Sequence, residues 1–247
     1  MDGGAVWESG DGWESAETQP VSHPTGPIVL LGASYVAAWT LDEVRGVPVV
    51  NLGIPGNQTH EYIGRFEDEV LALRPRAVVI WGIDNDIIRS PRDEVVEARR
   101  RVMRNLAYLV HLARDSGIEP VLATDLTLRP PARWLEGLAA IVGRLRGKQG
   151  YQSYINGHVL WLNASIRALA TRAQVKLLDI HRVTSGPDEM RAPAFAQADD
   201  SHLTEAGYRA ITAYVVPRLE AWFAEQRAAS APVVVDRWTL QPRLAGS

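Results

Sequence analysis

Five short apolar runs punctuate the chain, at 28–31, 47–52, 77–81, 118–123 and 175–180, each rich in Val, Ile and Leu and with little alternation of polar and apolar positions. A run without period-2 alternation fits a strand buried on both faces. Between the runs, apolar residues recur at helical spacing over roughly 35–45, 59–73, 92–116 and 155–173, and again from 204 to about 227. Strands alternating with helices predict right-handed crossovers and a parallel sheet covered on both faces: a three-layer α/β/α, flavodoxin-like domain of about five strands. Ligands of such a sheet collect at the carboxyl ends of its strands. Pro217 lies inside the last helical stretch. It predicts a kink there, or an end near Val216, because proline lacks the amide donor and crowds the preceding turn.

The domain is read as 27–230. Residues 1–26 are polar and rich in Gly, Glu, Ser and Thr, which predicts a flexible arm. Trp7 and Trp13 stand out in it, either as groups for docking on the body or on a partner or as simply tolerated sequence. Residues 127–154, with Pro130, Pro131 and Trp134, read as a variable insertion beside the crevice. The tail 231–247 contains Val233, Val234 and Val235, a candidate edge strand, and both tails are candidates for self-association.

Composition narrows the function classes. The 247 residues are 46% hydrophobic and 22% charged, with a formal charge of -3, so nothing calls for a polyanionic partner and nucleic-acid binding is disfavoured. No apolar stretch approaches the ~20 residues of a membrane span, and the first residues lack a signal-peptide pattern. The expectation is a soluble, cytoplasmic protein. With no Cys, thiolate zinc sites and Cys nucleophiles are excluded.

Polar motifs fall at the ends of the runs. Ser34 ends the first in Gly32-Ala33-Ser34, Gly53 to Gly56 follow the second, Asp84-Asn85-Asp86 the third, and Asp199-Asp200-Ser201-His202 the fifth. An Asp three residues before a His can orient the imidazole as a general base, and Ser34 is the nucleophile it would serve. Each motif also has a plainer reading. Ser34 fits a helix N-cap. Gly53 and Gly56 suit a tight turn around Pro55. Asp199 or Asp200 with His202 fits a loop ion pair, or a metal site completed by His60 or Asp86, although no compact ligand cluster supports a metal. Asn57 is preferred as the cap of the helix starting near Thr59 over a substrate contact. Arg99, Arg100, Arg101 and Arg104 alternate with Glu94 and Glu97 as a solvated helix face.

Gly32-Ala33-Ser34, Asn51-Leu52-Gly53-Ile54-Pro55-Gly56, Trp81-Gly82-Ile83-Asp84-Asn85-Asp86 and Asp199-x-x-His202, in that order, resemble the four blocks of the SGNH hydrolases, the GDSL esterase and lipase superfamily. The resemblance covers about residues 28–225. It implies Ser34 as nucleophile, His202 as general base and Asp199 as the carboxylate that orients it. It also implies an oxyanion hole from the Ser34 and Gly56 amides and the Asn85 side chain. Asp200 lies one residue off the family spacing. Two departures stand out. The usual Gly-Asp-Ser reads Gly-Ala-Ser, and the third block, usually Gly-x-Asn-Asp, has one residue more. Aligned from its Gly, the block puts Asp84 in the oxyanion position; aligned from Asn-Asp, it puts Asn85 there. A carboxylate would repel the oxyanion, which favours Asn85.

The expectation is therefore a serine esterase that hydrolyses a small-molecule carboxylic ester, short acyl or acetyl, through an acyl-enzyme, with no cofactor and no metal. Activity should fall on the acid side of neutrality, where the base is protonated. An O-acyltransferase using the same Ser, or a non-catalytic binding or scaffolding module on the same fold, are the alternatives. Asn57, Trp134, Tyr151 and Tyr154 are the candidate substrate contacts.

Overall fold

The computed structural model describes residues 25–129, 150–197 and 202–230. The apolar runs form β1 (Ile28–Gly32), β3 (Val47–Gly53), β4 (Ala77–Trp81), β5 (Glu119–Ala123) and β6 (Lys176–Leu178), joined by a short β2 (Glu43–Val44). The sheet order is β2-β3-β1-β4-β5-β6, parallel throughout except for the β2–β3 pair. β1 is central, so every side chain of it is buried, Val29 and Leu31 toward one helical layer and Ile28 and Leu30 toward the other. That two-sided burial is why the run carries no alternation. Leu30→Ala is expected to cost about 2–5 kcal/mol, read as a lower urea midpoint at unchanged m.

On the Val29 side lie α2 (Thr59–Gly64), α3 (Asp84–Ile88), α4 (Val95–Asp115) and α5 (Tyr151–Ala173). The other side holds α1 (Ser34–Ala37), α6 (Ile180–Thr184) and α7 (Glu205–Ser230). The α/β/α sandwich with helices on both faces is thus the observed fold, with one antiparallel strand beyond the five expected.

Local expectations fail in four places. The stretch 35–45 is helical only to Ala37, because the chain turns at Arg45 and Gly46, both at positive φ (50° and 75°). Two such residues make the tight turn that suits a hairpin, and β2 pairs back onto β3 through Val44 and Val47. The run 175–180 stops at Leu178, where the Asp179 side chain accepts from the Arg182 amide and starts α6. Residues 59–73 begin as α2 but continue as a π-turn at Phe66–Val70 and a 3-10 turn at Leu71–Leu73. Finally, α7 does not end at Val216 but runs on through Pro217 to Ser230. Ile211 and Val215 before the proline, and Leu219 and Phe223 after it, are all buried on the sheet. Packing on both sides offsets the lost backbone bond.

Candidate active site

Ser34 opens α1 directly beyond the carboxyl end of β1 and is partly exposed. Gly32 lets the turn close: a Cβ there would lie 2.1 Å from the Trp81 carbonyl oxygen and 2.3 Å from Val36 Cγ2. Asn51 stitches α1 to the neighbouring strand. Its Nδ2 donates to the Val36 and Trp39 carbonyls at 2.7 and 3.0 Å, and its Oδ1 accepts from the Gly53 amide at 2.9 Å. Because all these strands run parallel, the loops after β1, β3 and β4 lie along one edge of the sheet.

Gly56 sits in the loop after β3 at φ 83°, a conformation that favours glycine. The Asn85 Nδ2 donates to the Asn57 carbonyl at 3.1 Å, which brings the third block against the second. Asp86 completes that junction by accepting from the Thr59 amide and hydroxyl, both at 2.9 Å. Burial raises the Asp86 pKa and the two Thr59 bonds oppose the rise. Asn57 does not cap α2. The N-cap is Gln58, whose amide donates to Glu61 Oε2 at 2.7 Å in a capping box, because the backbone enters the helix one residue later than the Asn suggests.

Asp84 and Asn85 part company. Asn85 is partly exposed, whereas Asp84 is buried at 6% exposure, with Oδ1 accepting from the Asn85 amide at 2.9 Å. Beside Asp84 lies Asp125, wholly buried at the end of β5. It accepts from the amides of Ile83 (2.6 Å), Asp84 (3.0 Å) and Leu126 (2.8 Å) and so shapes the turn after β4. Burial pushes both carboxyls up, but three amide donors favour the charged form of Asp125. The proton therefore rests on Asp84, raised to about 7 by burial and by the Asp125 charge.

The loop 124–128 that carries Asp125 is itself buried, and α5 satisfies its backbone. Asn163 brackets Asp125 through its amide and carbonyl at 2.7 and 2.8 Å, and Asn156 does the same for Leu128 at 2.7 and 2.8 Å.

His202 lies just before α7, partly exposed, with its carbonyl accepting from the Gln197 amide at 3.0 Å. A bridge between Ala196 and Leu203 pins the two sides of this turn together. Arg191 reaches the same carbonyl at 3.0 Å and the Tyr35 hydroxyl at 2.9 Å, while the Tyr208 hydroxyl of α7 donates to the Tyr35 carbonyl at 3.0 Å. The segments holding Ser34 and His202 are thus tied directly. Asp199, Asp200 and Trp134 lie outside the described residues.

Of the proposed aromatic walls, Tyr151 and Tyr154 lie among the described residues. The Tyr154 ring lies under the Arg92 guanidinium at 4.5 Å and edge-on to His158 at 4.6 Å, and Tyr151 is exposed. Neither makes a hydrogen bond or ring contact to Ser34, Gly56, Asn85 or His202. His60 is exposed. Among the described residues no group of His, Asp and Glu is arranged to hold a metal ion, and no helix is long and apolar enough to cross a membrane.

Asp125, Arg191, Asn156 and Asn163 escape sequence reading to different degrees. Thr124-Asp125 directly follows an apolar run, the same signal that singled out Ser34. Two asparagines seven residues apart on an apolar helix face were a further cue. Arg191 carries no sequence signal at all.

Comparison with known proteins finds a match to the model of the GDSL-like Lipase/Acylhydrolase family over residues 30–210. A curated protein, the uncharacterized lipoprotein YqeF of Bacillus subtilis (strain 168), is 28% identical over 86 residues, 35% of each chain; the chain thus matches about a third of that relative's length. Among solved structures, a GDSL-like lipase from Bacteroides thetaiotaomicron superposes with a TM-score of 0.59 at 20% identity, covering 80% of this chain and 89% of that one. The lipase/acylhydrolase from Enterococcus faecalis gives 0.56 at 22%, covering 80% and 96%. A mutant of Axe2, an acetyl-xylooligosaccharide esterase from Geobacillus, gives 0.59 at 16%, covering 79% and 96%.

Proposed function

Because this chain belongs to the GDSL-like lipase/acylhydrolase family and is accordingly a hydrolase, we propose that it is a serine esterase cleaving a small carboxylic ester through an acyl-enzyme on Ser34. The observation that carries this reading is the tie between the Ser34 and His202 segments through Arg191, at an edge where Asn85 also bonds the Asn57 carbonyl next to Gly56. His202 takes the Ser34 hydroxyl proton as the oxygen attacks the acyl carbonyl, and returns it to the leaving alcohol. Asp199 orients the imidazole. Water then attacks the acyl-enzyme by the same route in reverse.

The oxyanion is received by the Ser34 and Gly56 amides and by Asn85. Asn85 suits this role better than Asp84 because it is the more open of the two, and the Asn57 carbonyl holds one of its two N–H groups while the other remains for substrate. The acyl group is taken to be short, and the substrate a small soluble ester.

A fluorophosphonate probe tests the reading. Folded protein is expected to be labelled at Ser34 alone, with labelling that falls on the acid side of neutrality, as for any nucleophile activated by an imidazole base. Recovery of unmodified Ser34 after prolonged exposure would reject the assignment.

A further inference from the structure

Arg191 is wholly buried, yet each of its hydrogen-bond partners is an uncharged oxygen: the Thr127 carbonyl to Nε at 3.1 Å, the His202 carbonyl at 3.0 Å and the Tyr35 hydroxyl at 2.9 Å. Among the described residues no carboxylate lies within ion-pair distance of it. Asp125, the ionised member of the buried carboxyl pair, balances its charge from farther off and is stabilised as an anion by Arg191. Burying a guanidinium without a contacting anion is costly, and a loop could be fastened more cheaply by a neutral donor. What a guanidinium offers instead is a rigid planar fork that fixes several acceptors at set angles.

The three acceptors lie on three different segments. Tyr35 follows the nucleophile, and its ring is fixed by stacking on Trp81 at 5.6 Å between centroids. Its carbonyl is held by Tyr208, so both ends of the residue are tied. The His202 carbonyl belongs to the general base itself, and Thr127 belongs to the loop that carries Asp125. Arg191 is delivered by a loop closed on its own backbone, with the Gly186 amide on the Met190 carbonyl at 2.9 Å and the Ala192 amide on the Thr184 carbonyl at 2.8 Å. His181 Nε2 lies 3.0 Å from the Glu189 carbonyl on the same loop.

We propose that Arg191 is a positioning residue, which sets the nucleophile and the base against each other by gripping the Tyr35 hydroxyl on one side and the His202 carbonyl on the other. This rests on the serine-esterase reading given above. Small displacements between reacting groups cost rate steeply, so the link acts on turnover rather than on substrate affinity.

The test uses the full chain with Arg191→Lys, Tyr35→Phe and the double variant, each assayed on a p-nitrophenyl acetate series. Active sites are counted with the fluorophosphonate. Lys keeps the charge but loses the fork, and Phe keeps the ring but loses the acceptor. Each single change is expected to lower kcat per labelled site about 10-fold or more, as for loss of a hydrogen bond to a charged group, with KM moving less than about twofold. The labelling rate should fall in parallel. The double variant should lose little more than the worse single one, because both remove one link. Unchanged kcat per site in the single variants, a loss confined to the number of active sites, or fully additive losses would each overturn the positioning role while leaving the esterase intact. If Arg191→Lys does not fold, Tyr35→Phe alone decides by the same readouts. Absence of labelling in the unaltered protein would instead remove the esterase reading and this inference with it.

Discussion

Replacing Ser34 by Ala is expected to lower turnover of a short acyl ester by about four to six orders of magnitude, the range seen when a triad nucleophile is deleted. The fold should hardly notice. Ser34 is partly exposed at the start of a four-residue helix, and Ala33, which takes the N-cap position, makes no side-chain cap bond. A helix position of this kind accepts alanine within about 0.5–1 kcal/mol. The amide of residue 34 and that of Gly56 are backbone groups and survive the change, so a residual rate above that in water is expected from the oxyanion site alone. The two quantities to measure are kcat on a p-nitrophenyl ester and the thermal midpoint. Retained turnover at unaltered stability would eliminate Ser34 as nucleophile. A collapse of both would show that the loss came through folding.

The second large effect concerns pH and Asp84. Its folded-state pKa, about 7, lies well above the ~3.9 of an unfolded Asp. Between those values the folded chain keeps a proton that the unfolded chain has released. Stability from this group is therefore complete below about pH 4 and is lost as the pH rises through about 7. The loss is on the order of 4 kcal/mol. Asp84→Asn keeps an oxygen to accept the Asn85 amide but has no proton to give up. It also leaves the Asp125 anion and the Arg191 cation balanced, with Asp86 held by Thr59 and burial keeping Tyr35 and Tyr62 neutral. The variant should match the parent near pH 4.5 and exceed it by several kcal/mol at pH 8 in urea unfolding. Parallel stability curves for the two proteins across pH 4–8 would show that Asp84 is not the group holding the proton.

The sheet was legible because its strands are buried on both faces, leaving apolar runs that stand out against helical spacing. The motifs at Ser34, Gly56 and Asn85 follow parallel strands, whose successive ends come to one edge of the sheet whatever lies between them in sequence. What escaped depends on long-range partners. The helix expected over 35–45 failed because Trp39 and Leu41 pack into the core from an irregular segment and Val44 from the hairpin strand β2, and apolar spacing cannot distinguish these from a helix over ten residues. The helix end near Val216 did not follow from Pro217 because the helix is packed on the sheet on both sides of the proline. The buried carboxylate of Asp125 went unread because its partners, the Ile83 and Asp84 amides, belong to a different strand end. No reading of one residue at a time links Arg191 to Tyr35, 156 positions away.

The two outer strands of the described sheet are its shortest, β2 with two residues and β6 with three. A sheet edge is a row of unpaired amides and carbonyls on which another chain can grow, and its appeal depends on length and flatness. Here one edge is a tight antiparallel hairpin and the other begins at Lys176, which lies near Glu119 at 3.7 Å. The long, wholly apolar strands that would template aggregation most readily, β1 and β4, sit in the interior of the sheet. The arrangement that gathers the candidate chemistry at the sheet's carboxyl end also keeps its stickiest backbone away from strand addition by other chains.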